Sequence, residues 1–148
     1  MEALVASAIL ASVLAFAIGA YLISAQAGAE NGPSLQAAYL ADEGIEALRV
    51  MRDTSYSANI APLAAGTTYY LAWNGTTWTS TTTDSFVDGT FERSFVLSNV
   101  YRNPNEDIST TGTLDPNTKE VTVTIAWQQQ GATTTRTLAA YITNFLQN

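Results

Sequence analysis

The sequence predicts an α+β protein: a long N-terminal α-helical stem, apolar in its first half and amphipathic in its second, packed on an antiparallel β-sheet head of about five strands. Three observations lead there. Residues 3–24 carry no charge, residues 34–53 repeat apolar side chains at helical spacing, and the remainder falls into alternating runs of strand length separated by Gly, Asn and Pro. A chain of 148 residues supports one compact domain of about 100 residues plus an appendage.

Residues 1–25 form the first element, an apolar transmembrane or filament-core helix. About 22 residues at ~1.5 Å rise reach roughly 33 Å, the thickness of a bilayer's hydrocarbon core. The run is too long for the apolar core of a secretory signal, and no combined helix-breaking and small-residue cleavage pattern closes it. Small residues recur every fourth position through Ala3, Ser7, Ala11, Ala15 and Gly19, with a neighbouring stripe at Ala8, Ser12, Ala20 and Ser24. Such stripes let helices approach closely. Leu4, Leu10, Val13, Leu14, Ile18 and Leu22 fill most of the remaining surface, which suits lipid or a sheath of copies. Glu2 stands immediately before the run, and an ionisable residue at the end of a membrane segment asks for a named partner.

Residues 26–33 hold Gly28, Gly32 and Pro33, so a flexible break is expected there, with Gly19 as an earlier hinge. Ser34 is the expected N-cap of a second helix, 34–53, whose Leu35, Ala38, Ile45, Leu48 and Met51 share one face. That face is expected to bury the sheet. Glu46, Arg49 and Asp53 are spaced as solvated ion pairs, and Asp42, Glu43 and Glu46 are assigned no catalytic role.

The head, 34–148, continues with a surface connection from Tyr56 to Gly66. Thr67–Trp73 and Thr76–Thr82 flank Asn74-Gly75, the sequence signature of a two-residue hairpin turn. Phe91–Tyr101 alternates without a cleanly polar face, as expected of a strand packed on both sides. Val121, Val123 and Ile125 alternate with Thr122, Thr124 and Ala126, and after Gly131 a final strand is expected over 133–145.

Composition removes whole classes of function. The six Lys and Arg do not cluster and the net charge is -7, so nucleic acid is rejected as a partner. With no Cys and no His, thiolate and imidazole chemistry lack their central residues. No enzyme activity and no cofactor are expected. Asp107 and Asp115, in the loops Asn103–Asp107 and Asp115–Asn117, are candidate Ca²⁺ ligands if the two meet, although turn chemistry explains the same residues. Asn74-Gly75-Thr76 is an N-glycosylation sequon. Trp73, Trp78 and Trp127 suit either a stacking platform or the core.

Glu2 to Leu10, EALVASAIL, resembles the start of mature type IV pilins and type II secretion pseudopilins. Gly19-Ala20-Tyr21 stands where that family has a helix-breaking residue followed by Ala-Tyr, with Gly19 in place of the usual proline. Residues 136–145 also look like pilin-like bacterial proteins. The family carries four residues and a basic leader before its glutamate, whereas Met1 alone precedes Glu2 here; a processed or truncated chain and a mature Met1 are both open. The resemblance implies a structural subunit, held in the inner or cytoplasmic membrane and drawn by assembly machinery into an extracellular helical filament of identical copies. It implies that Glu2 neutralises a neighbour's N-terminal ammonium and that Ala3, Ser7, Ala11, Ala15 and Gly19 line the assembly face. The alternatives are a minor pseudopilin of a type II secretion system and a membrane-tethered glycan-binding module.

Overall fold

The computed structural model describes residues 1–146, with 27, 29 and 30 as backbone alone. A helix, α1 (Glu2–Asn59), is followed by strands β1 (Thr68–Trp73), β2 (Trp78–Thr81), β3 (Phe86–Val87), β4 (Phe91–Arg102), β5 (Ile108–Ser109), β6 (Thr113–Gln129) and β7 (Ala132–Thr143). The chain divides into two compact units, Met1–Gln36 and Ala37–Asn148.

The first unit is helical from Glu2, whose carboxylate in the opening turn complements the positive end of the helix dipole. Ser7 Oγ donates to the Leu4 carbonyl at 3.0 Å and Ser12 Oγ to the Ile9 carbonyl at 2.8 Å. Both hydroxyls are therefore satisfied within their own helix and impose no polar demand on the surroundings. The break expected over 26–33 is not a break in the helix: helical backbone continues through Gly28, Gly32 and Pro33. Pro33 gives no N–H and crowds the carbonyl four residues earlier, a cost of about 3 kcal/mol. Propagation on either side, where each added residue gains a bond, carries the helix across it. Ser34, expected as an N-cap, is consequently an interior residue.

In the second unit, Ala37, Leu40, Ala41, Ile45, Leu48 and Met51 form the buried face of α1. Leu35 and Ala38, expected on that face, are exposed and half-buried respectively. The seam runs instead through Ala37, Ala41 and Gly44, because small residues bring the helix backbone close to the sheet. A Cβ on Gly44 would lie 2.9 Å from Val123 Cγ1. The helix also outlasts its expected end at 53. Ser55 turns extended (φ -170°, ψ 109°) and its Oγ accepts the Ala58 N–H at 3.3 Å, so it caps one further turn. Tyr56 is thereby buried, its hydroxyl donating to the Pro116 carbonyl at 3.1 Å.

The sheet is antiparallel in the order β2-β1-β4-β6-β7, with the two-residue β3 and β5 paired to β4. The five principal strands match the expected number, and the short pair completes a sheet of seven. Phe91, Phe95 and Leu97 on β4 face the helix beside Val121, Val123, Ile125 and Trp127 on β6. Their neighbours Glu92, Ser94 and Val96 are half-buried on the opposite face, so β4 is covered by α1 on one side and is not packed on both as expected. Between Asn99 and Val100 the register shifts, and this bulge accommodates Pro116 inside β6, where a regular ladder would need its N–H.

The turns depart from expectation in an instructive way. Asn74-Gly75 does not form a two-residue turn: Trp73 pairs with Trp78, leaving a four-residue loop, and only Gly75 of the two has positive φ. Asn74 Oδ1 instead accepts the N–H groups of Thr76 at 3.0 Å and Thr77 at 2.9 Å, so the side chain builds the loop itself. The two-residue turn with both φ positive is Gln130-Gly131, between β6 and β7.

Candidate functional site

The apolar half of α1 offers the first candidate surface. It is long and apolar enough to cross a membrane, and none of its most apolar window is buried by the rest of the chain. Phe16 is 81% and Leu4 73% exposed, an arrangement that water does not tolerate over so long a stretch. Ala15, Phe16, Gly19, Ala20 and Ile23 line a shallow apolar groove of about 350 Å³ on this helix. Beyond the backbone of its own helical turns, a Cβ added to Gly19 would meet no atom of the described residues within 4 Å, so packing against another part of its unit does not explain its small size. Ala3, Ser7, Ala11, Ala15 and Gly19 lie on one continuous helix, which runs through Gly19 where a hinge was expected, and Glu2 is exposed at its start.

The second candidate lies in the C-terminal unit, at the corner of the sheet beyond the helix seam. Trp73 and Trp78 pair across β1 and β2 with ring centroids 5.4 Å apart, and with Phe86 of β3 they wall a groove of about 490 Å³. Its inner end is Arg93, which β4 places on the helix-facing side in line with Phe91 and Phe95. Arg93 is only 4% exposed; its guanidinium lies 4.9 Å from the Trp78 ring and its Nη1 is 3.2 Å from Glu43 Oε2. Nε and Nη1 are sealed from solvent and make no hydrogen bond. Sequence reasoning missed this residue. The signal was an arginine at an alternate position of an otherwise apolar strand face, Phe91, Arg93, Phe95, Leu97.

The three tryptophans do not form one platform. Trp127 is buried against Phe91, 5.9 Å between centroids, while Trp73 and Trp78 sit together at the groove.

The two loop aspartates named as conditional calcium ligands have other partners. Asp115 is committed to Arg102, whose Nε donates to its Oδ2 at 2.7 Å, and to the Asn117 N–H, 2.9 Å from Oδ1. Asp107 is exposed and accepts a long bond from Asn103 Nδ2. Among the described residues no three acidic side chains converge in a metal-binding arrangement. Burial raises the Asp115 carboxyl, but Arg102, the Thr118 hydroxyl and the Asn117 amide together hold it below the usual carboxylate value. Burial and the Asp115 charge push the Tyr56 phenol up. Hydrogen bonding to Asp84, then burial, then bonding to Glu92 push Tyr70 to about 12. Glu46 pairs with Arg49 as expected, and Asp53 is bonded by Arg52. Asn74 is exposed at its loop.

Comparison with known protein families, curated proteins and solved structures finds no match to the chain.

Proposed function

We propose that this chain is a structural filament subunit of the type IV pilin kind, held in a membrane by the apolar half of α1 and assembled by bundling that helix with copies of itself. The observation that carries the reading is Gly19, set in the stripe of small residues on the apolar half of α1: a glycine inside a helix costs about 1 kcal/mol relative to alanine, and among the described residues nothing beyond its own helical turns packs on it. A bundle of helices gives such a residue a use, since it permits close approach of neighbouring backbones. Two further features support the reading. Ser7 and Ser12 are internally hydrogen-bonded, so they can enter lipid or a bundle seam alike. Glu2 heads the helix, where a carboxylate transferred into an apolar bundle needs a cationic partner, and a neighbour's N-terminal ammonium supplies one.

Exchange of lipid for identical apolar helices changes little hydrophobic energy, so packing of small residues and the Glu2 pairing set the register. The polar C-terminal unit then faces solvent on an extracellular fibre. Sedimentation of polymer after detergent removal tests the reading. Glu2→Ala and Gly19→Leu are expected to reduce pelleted polymer severalfold while leaving the far-ultraviolet spectrum unchanged; unchanged polymer in both variants contradicts it.

A further inference from the structure

We propose that the groove walled by Trp73, Trp78 and Phe86 binds a carboxylate-bearing ring compound, with the ring on the exposed aromatics and the carboxylate beside Arg93. This inference is independent of filament assembly, since every residue it uses lies in the C-terminal unit.

Arg93 carries the argument. A guanidinium buried to this degree normally has its N–H groups matched to acceptors, because unmatched donors in a poorly solvated site are costly. Here two of its three nitrogens are sealed and unbonded. Glu43 balances the charge at 3.2 Å without the geometry of a hydrogen bond, and its own side chain is half exposed to solvent. The guanidinium therefore lacks the planar two-oxygen partner that fits its fork. Glu43, on a long and rotamer-rich side chain, acts as a placeholder that an incoming carboxylate replaces.

The rest of the groove specifies what that carboxylate is attached to. Trp73 and Phe86 are each 55% exposed, while Leu71 and Val87 supply an apolar lining. Exposed aromatic faces beside an apolar lining accept a flat or ring-shaped apolar surface. A volume of about 490 Å³ is that of a small-ligand cleft. Acidic sugars and aromatic carboxylic acids share this chemistry, and the experiment separates them.

Full-length protein in detergent is titrated by calorimetry with a galacturonic acid disaccharide, its neutral galactose counterpart and phenylacetate. At least one acid is expected to bind about tenfold more tightly than the neutral sugar, as a charge-assisted contact provides; which acid binds identifies the source. Trp73→Ala is expected to weaken that binding about tenfold without shifting the thermal melt, and Glu43→Gln, which removes the competing carboxylate, to strengthen it severalfold. Absence of binding by both acids, equal binding of acid and neutral sugar, or weakening by Glu43→Gln overturns the proposal. Loss of polymer in Trp73→Ala without binding of any probe assigns the groove to contact with a second copy and overturns it equally.

Discussion

Gly44 and Val123 meet where α1 lies closest to the sheet, and their contact sets how small that position must be. A methyl group on Gly44 would approach Val123 Cγ1 to 2.9 Å, and the β-branched valine has little rotamer freedom with which to retreat. Overpacking of this kind costs about 1–3 kcal/mol, against a gain of up to about 1 kcal/mol in helix propensity. Gly44→Ala is therefore expected to lower unfolding free energy by about 1 kcal/mol in denaturant titration, and to cost nothing further in a Val123→Ala background. Asp115 gives a second prediction at this scale. Because its folded-state carboxyl is held below the ordinary value of 3.8, its contribution is present above that value and disappears as pH falls through the lower, folded one. Asp115→Asn is expected to cost about 1–3 kcal/mol near neutral pH, with the melting curves of variant and parent converging in acid. A constant difference at every pH would show that the carboxylate charge is not what Arg102 holds.

At the scale of elements, the sequence was informative where one local rule acted alone. Alternation at Val121, Val123 and Ile125 placed β6, and the uncharged run of residues 3–24 placed the first half of α1. Where two rules competed, the wrong one was followed. Gly28, Gly32 and Pro33 are local helix breakers, yet helix on both sides carries the backbone through them. Asn74-Gly75 is a strong turn signal, yet the pairing of Trp73 with Trp78 fixes a longer loop, and Gln130-Gly131 makes the tight turn. Ser55 was legible only afterwards, since its capping role depends on the burial of Tyr56 that follows. Pro33 also yields a prediction: Pro33→Ala restores a donor to the helix and removes the crowding. Amide exchange over residues 30–36 is expected to slow in that variant, and unchanged exchange would show that the missing bond does not limit local opening.

For the whole molecule, the α+β class was readable because the apolar period changes from helical to alternating along the chain. The apolar half of α1 was readable for a related reason: an uncharged run of this length offers water nothing to solvate. The groove was not readable, because it is assembled from α1, β1, β2, β3 and β4, and nothing local to Arg93 reveals that Trp78 and Glu43 converge on it. The partner of Asp115 was hidden for the same reason, since Arg102 reaches it across the β4–β6 pair. The proposed function requires that the apolar helix be covered by other copies of itself. Electron microscopy of the full-length protein after detergent removal tests it most directly. Thin fibres with helical order and the C-terminal units on their outside are the expected result; single copies dispersed in added lipid vesicles, with no ordered polymer at any protein concentration, would contradict it.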